Sequence, residues 1–227
     1  AVVDRLKEMG AVFVKEISEV PEGAEVIFSA HGVGEKVYED ASNKNLTIID
    51  AACPLVKKVH VSAKKHDSKG SKIILIGHKG HPEVEGHLGQ IDKEMYLVSK
   101  PEDVNNLQFT DKDELAYITQ TTLSIDEAKD AIDALKAKFP HIKGPKKGDL
   151  CYATTNRQAA VKELAGSVDL LLVVGSSNSS NSNRLKELGE TMGVESYLID
   201  SPADINPNWL EGKTKVGISS GASAPEH

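Results

Sequence analysis

A length of 227 residues, 39 % apolar and 27 % charged, allows one large domain or two modest ones with a packed core, at values ordinary for a soluble protein. The 34 acidic against 27 basic residues leave a formal charge of −7, which disfavours a general nucleic-acid binder, and no Lys/Arg cluster with interleaved aromatics overturns that. The longest apolar runs are strand-sized and no positively charged apolar leader opens the chain, so neither a membrane span nor secretion is expected.

In chain order, Val2 to Gly10 reads as the tail of a helix with its glycine cap. Strands are expected at Val12–Val14, Glu25–Phe28, Thr47–Ile49, Ile73–Ile76, Met95–Val98, Leu115–Ile118, Leu170–Val174, Ser196–Ile199 and Lys215–Ile218. Helices are expected at Pro54–Lys65, Pro82–Leu88, Ile125–Phe139, Arg157–Ala165 and Ser182–Met192. The last residues read as a loop about to start a helix with Pro225 at its first position, so the chain is expected to be a middle piece of something longer. Alternation of this kind predicts an α/β fold with small, mainly parallel sheets, whose ligands bind at the carboxyl ends of strands.

A repeat runs through the chain. Cys53 and Cys151 are each followed, at the same spacing, by a glycine that closes an apolar strand and opens a polar loop: Gly77 and Gly175. A second small-polar loop follows each, Thr119–Thr122 and Ser219–Ser223. The chain therefore divides into 1–52, the C-terminal part of a first α/β unit; 53–150, a complete second unit; and 151–227, a third lacking its final segment. Copies set about one axis would bring cysteines and anion-binding loops to a common centre.

Two distant thiols in special local contexts look less like a disulfide than like metal ligands in a reducing cytosol. Two ordinary buried cysteines are the alternative. Cys53 precedes Pro54 and a helix start, where the dipole favours the thiolate; Cys151 precedes a similar run, although Thr154, Thr155 and Asn156 offer a later cap. An iron–sulfur cluster usually takes four ligands, and the repeat places a further cysteine roughly 40 positions before residue 1.

His31, in Ser29-Ala30-His31-Gly32-Val33, and His78 and His81, in Gly77-His78-Lys79-Gly80-His81-Pro82-Glu83, stand at strand ends beside glycines, where they can donate to phosphate. Isolated structural histidines, or a zinc site of His78, His81 and Glu83, are the rivals. Glu83 and Glu85 can relay a proton or simply favour a helix start. The run Ser176–Asn183 makes a neutral anion cradle or a plain loop; it is no Walker loop, because no Gly-Lys-Ser/Thr ends it.

Ser29–Val33, Asp50–Val56, Gly77–Gly86, Thr119–Ser124, Cys151–Gln158, Asn178–Arg184 and Gly221–Pro225 together resemble the 4-hydroxy-3-methylbut-2-enyl diphosphate reductases, in family order over essentially the whole chain. The resemblance implies three α/β units around a [4Fe–4S] cluster, with Cys53 and Cys151 as two of its ligands. It implies that His31, His81, Ser179, Ser180, Asn181 and Ser223 hold the diphosphate, with Thr121 and Thr122 also on the substrate. Glu83 and Thr121 would handle the substrate hydroxyl and proton delivery. A cytoplasmic enzyme taking electrons from a donor such as ferredoxin or flavodoxin is implied as well. Departures are the absence of the family's first cysteine, in a Phe-Cys-Ala-Gly-Val-type motif, and of a further phosphate-binding histidine; Ala52 stands where Thr is usual. This stretch alone is therefore expected to lack activity. A sugar-phosphate-binding protein or isomerase, or a zinc hydrolase, are the non-redox alternatives.

Overall fold

Most short apolar runs rich in valine, isoleucine and leucine, flanked by glycine or polar loops, form parallel strands. The structure is a computed structural model that describes residues 2–145 and 148–224. Its elements are α1 (Val2–Glu8), β1 (Glu25–Phe28), α2 (Glu35–Asn43), β2 (Thr47–Asp50), α3 (Pro54–Asp67), β3 (Lys72–Ile76), α4 (Pro82–Leu88), β4 (Met95–Val98), β5 (Leu115–Thr119), α5 (Ile125–Lys138), α6 (Tyr152–Ala165), β6 (Leu170–Val174), α7 (Ser180–Thr191), β7 (Glu195–Ile199) and β8 (Val216–Ser220). They form three small sheets, β1-β2, β4-β3-β5 and β7-β6-β8, with every pairing parallel. The expected α/β class is what is found.

The chain divides into two compact units. One, Val12–Thr121 with Asp126–Asp149, carries the first two sheets; the other, Ala1–Ala11 with Thr122–Ile125 and Leu150–His227, carries the third. In the first, Ile73, Leu75 and Ile118 pack with Val59, Ala63, Val84 and Met95. In the second, Leu171 and Val173 pack with Val161, Ala165, Leu185 and Val194. Each large side chain so buried contributes about 1.5–3 kcal/mol. A central parallel strand is covered on both faces, which is why β3 and β6 read as continuous apolar runs.

Several expectations need correction. Val12–Val14 is not a strand: its side chains are exposed, and none of the described strands pairs with it. β-propensity alone does not make a ladder. Helix α2 was not expected, because its sequence is largely polar: three residues, Val37, Tyr38 and Ala41, form its core-facing stripe, and Ala41 alone of them is fully buried. Helix α6 starts at Tyr152 rather than Arg157, with Cys151 as its N-cap. The Thr155 hydroxyl donates to the Tyr152 carbonyl inside the helix instead of capping a later start. Helix α7 likewise starts at Ser180, capped by Ser179. The helix start expected at Pro225 lies outside the described residues. Among the described residues, no helix is long and apolar enough to cross a membrane.

Candidate active site

The first unit gathers a group of polar side chains at the ends of β1, β3 and β5. After β1 the chain turns at Gly32 (φ 71°), a left-handed conformation that glycine adopts without strain. His31, in this turn, is exposed, with Nδ1 3.3 Å from Ser29 Oγ. After β3 the loop leads to His81, the N-cap of α4, whose Nδ1 accepts the Glu83 N–H at 3.1 Å. Because Nδ1 is an acceptor, the neutral ring carries its proton on Nε2, leaving a donor for an anion. The His31 and His81 rings lie 5.6 Å apart, edge to face. Burial lowers the His81 pKa, with the neighbouring His31 and His78 adding to the effect against the pull of Glu83.

Two glycine contacts hold this arrangement. A Cβ on Gly86 of α4 would meet the Gly32 carbonyl oxygen at 2.9 Å, and one on Gly34 would meet the Gly89 Cα at the same distance. The Glu35 N–H closes the seam by donating to the Gly89 carbonyl at 2.8 Å. Backbone therefore lies on backbone between the His31 turn and α4.

Glu83 is 1 % exposed. Its Oε1 accepts the Thr121 N–H at 2.6 Å, and its Oε2 accepts the Thr121 hydroxyl at 3.1 Å. His87 Nε2 lies 3.3 Å from Oε1. Burial pushes the carboxyl up, but the bonds from His87 and Thr121 outweigh it and the net shift is downward. Glu83 thus rests as a carboxylate at neutral pH. Its neighbour Glu85 is exposed and belongs to the solvated first turn of α4.

Sequence reasoning missed two histidines behind this carboxyl. His87 is fully buried and His60, on α3, nearly so; their rings meet edge to face at 5.0 Å. The signals were present, His87 four residues after Glu83 and His60 on the buried face of α3 with Val56, Val59 and Ala63. Burial, with help from His87 and Lys64, pushes the His60 pKa down to about 4 from its ordinary 6.5. Above pH 6.5 the ring is neutral folded or unfolded. Below that the unfolded chain takes up a proton that the folded one refuses, so stability falls until about pH 4, where both are protonated. Urea midpoints measured across this window should fall more steeply for the parent than for His60→Gln; parallel curves would contradict the assignment.

The zinc alternative does not match this geometry. The His78 N–H donates to Gln120 Oε1 and its ring lies 3.9 Å from Glu127, while His81 and Glu83 are engaged as described. Among the described residues, no group of three or more His, Cys, Asp or Glu side chains is placed to hold a metal ion. Cys53 is the half-buried N-cap of α3, with a free thiol that caps no backbone group; its N–H donates to the Ala30 carbonyl.

The second unit carries the hydroxyl–amide loop. Ser179 caps α7 by accepting the Ser182 N–H at 3.3 Å, and the Ser182 hydroxyl donates to Ser179 Oγ at 3.0 Å. Ser182 is wedged between two strand ends: a Cβ on Gly175 or Gly221 would fall 2.2 or 2.1 Å from its Oγ. Asn181 is 6 % exposed, yet neither its Oδ1 nor its Nδ2 has a hydrogen-bond partner among the described residues. A buried amide left unpaired costs free energy unless a ligand satisfies it. Ser180 is half-buried in the first turn of α7, Ser223 is exposed beyond β8, and Thr122 is half-buried before α5. Cys151, a free half-buried thiol, is the N-cap of α6. Arg157 ties α6 to the end of β8 through the Ser220 carbonyl at 2.9 Å. His31, His81, Glu83, Thr121 and Cys53 thus fall in one unit, and Thr122, Ser179, Ser180, Asn181, Ser223 and Cys151 in the other.

The family model described as LytB protein matches residues 1–227, the whole chain. The chain belongs to the LytB protein family. Among curated members, the 4-hydroxy-3-methylbut-2-enyl diphosphate reductases of Photobacterium profundum and Actinobacillus pleuropneumoniae (serotype 3) are 57 % and 58 % identical over 228 residues. These alignments cover 99 % of this chain and 73 % of each relative. A solved Plasmodium falciparum structure of the E-1-hydroxy-2-methyl-but-2-enyl-4-diphosphate reductase superposes with a TM-score of 0.96 at 40 % identity, covering 98 % of this chain and 70 % of that one. A second solved structure, an (E)-4-hydroxy-3-methyl-but-2-enyl diphosphate reductase described as the terminal enzyme of the non-mevalonate pathway, gives 0.66 at 34 % identity. Membership in the LytB family makes this chain a relative of isoprenoid-pathway reductases.

Proposed function

We propose that this LytB-family chain carries out, as part of a cluster-bearing enzyme, the reductive dehydroxylation of 4-hydroxy-3-methylbut-2-enyl diphosphate. Two electrons and two protons are consumed, the hydroxyl leaves as water, and isopentenyl and dimethylallyl diphosphates result. The observation that carries the reading is Glu83, a sealed carboxylate that grips both polar groups of Thr121 from a helix whose cap is a phosphate-competent histidine. The names of the relatives supply the substrate.

His31 and His81 donate to the diphosphate through ring N–H groups, and Ser179, Ser180, Asn181 and Ser223 add neutral donors. The unpartnered Asn181 amide is the strongest support for that second set. Thr121, held by Glu83, presents its hydroxyl to the substrate oxygen, with Thr122 beside it in sequence. Diphosphate bound at His81 sets negative charge close to Glu83 and raises its affinity for a proton, so the carboxyl gains the acid role it lacks at rest.

Cys53 and Cys151 fit an iron–sulfur cluster in donor type, since each is a free thiol that spends no bond on its own helix. They do not fit it in number, because these are the only two cysteines of the sequence and a cluster usually takes four ligands. When bound, the cluster supplies the electrons, received from a donor of the ferredoxin or flavodoxin kind. The reducing compartment this requires is the cytoplasm.

Anaerobic reconstitution tests the reading. A chain extended at its N-terminus with the relatives' sequence should be brown and retain iron and sulfide, whereas the 227 residues alone should retain them poorly and turn over little. Equal, stable loading of both would remove the argument from cysteine number. A colourless extended protein that binds sugar phosphates would favour the isomerase alternative.

A further inference from the structure

Glu83 has a partner that the reaction itself does not call for. His87 sits one turn further along α4, fully buried, with Nε2 3.3 Å from Glu83 Oε1. Its other ring nitrogen, Nδ1, is buried without a hydrogen-bond partner among the described residues. A leucine or methionine would fill such a site without desolvating a polar atom, so the histidine is costly there except for the one bond it makes.

We propose that His87 is a positioning residue for Glu83: an imidazole packed edge to face against His60, whose Nε2–H fixes the carboxyl against Thr121. The proposal rests on the reading of Glu83 as the acid–base group of the reductase. The tautomer follows from the surroundings. In a neutral ring with its single N–H, Nε2 faces a carboxylate while Nδ1 meets no acceptor among the described residues, so that proton belongs on Nε2. His60 meets the ring edge to face at 5.0 Å and fixes its plane. His60 is itself held in place by the Gly32 turn, since a Cβ there would fall 2.7 Å from His60 Cε1.

The charged and titratable groups that act on this pair are Lys64 on α3, Glu35 on α2, His81 and Glu83 at the start of α4, and Asp149. Glu83 is the one of these hydrogen-bonded to His87. Removing the His87 donor takes away the largest of the interactions that hold the carboxyl down, leaving only the Thr121 bonds against burial, and its proton affinity rises.

The test needs no cluster for its first part. Long-range ¹H–¹⁵N spectra of this chain should show His87 as a single Nε2–H tautomer. A ¹³C titration of the Glu83 carboxyl should move up by about one pH unit or more in His87→Leu. His87→Gln, whose amide N–H can reach the same oxygen, should restore most of the parent value. An Nδ1–H tautomer, or a Glu83 midpoint unmoved in His87→Leu, overturns the proposal; if that variant does not fold, the tautomer in the parent and the midpoint in His87→Gln decide. In the extended, cluster-loaded enzyme, His87→Leu should shift the Glu83 limb of the kcat–pH profile upward by the same amount with KM unchanged. Should the ¹³C midpoint move while Glu83→Gln keeps full turnover, the positioning stands and the acid–base reading of Glu83 falls.

Discussion

Glu83→Gln in the extended, cluster-loaded enzyme is expected to lower turnover about 10²-fold or more, the range for loss of a general acid–base group. Gln preserves the side-chain length and one carbonyl oxygen, enough to keep the 2.6 Å bond from the Thr121 N–H. The Thr121 hydroxyl can turn to accept from the new amide, so the local fold has no reason to change. What disappears is a group that exchanges a proton. Iron and sulfide content should stay at the parent level, because Glu83 is no cluster ligand. Anaerobic steady-state assay of both proteins at equal cluster content checks the prediction, and parent-like turnover would reduce Glu83 to a buried brace for Thr121.

Gly86→Val should damage the site without touching a chemical group. In an ordinary helix interior, replacing glycine by a residue with a Cβ gains up to about 1 kcal/mol in propensity. Here the new atom meets backbone, the Gly32 carbonyl oxygen at 2.9 Å and its carbon at 3.2 Å, and backbone cannot swing aside as a side-chain tip can. Overpacking of that kind costs about 1–3 kcal/mol, so the loss wins. The urea midpoint should drop accordingly, and the His31 turn should lift from α4. Inorganic pyrophosphate binding, read by calorimetry, is expected to weaken about tenfold, the worth of one lost charge-assisted hydrogen bond. Gly166→Ala is the control: a Cβ there meets only the Glu163 carbonyl at 3.5 Å, ordinary contact. Equal effects from both substitutions would contradict the seam argument.

These two residues also show what the sequence could and could not reveal. Strand-end glycines and the Cys53 cap of α3 were legible because each is a local device, residue type and neighbour together, whereas α6 and α7 begin earlier than expected, after Cys151 and Ser179. The grip of Glu83 on Thr121 was not legible, because no spacing rule joins a residue of helix α4 to one in the loop after β5. Thr121 could be singled out only from the repeat and from resemblance. Val12–Val14 misled for the opposite reason: three apolar residues announce a strand, but a strand exists only with a partner, and pairing is not a local property. The polar helix α2 escaped notice because its apolar stripe is short, Val37, Tyr38 and Ala41, set in an otherwise polar run of nine residues.

The strand order has a consequence for how the protein is made. In both three-stranded sheets the central strand comes first in the chain: β3 precedes β4 and β5, and β6 precedes β7 and β8. During translation Ile73–Ile76 leaves the ribosome with both hydrogen-bonding edges bare, and its second partner follows only after roughly 40 further residues, about 2–8 s at typical synthesis rates. Leu170–Val174 waits about as long for β8. For that interval the most apolar segments of the chain are its least protected, a template for pairing with neighbouring nascent chains. Slower elongation or lower temperature during expression should therefore alter soluble yield more through these two runs than through any feature of the finished fold.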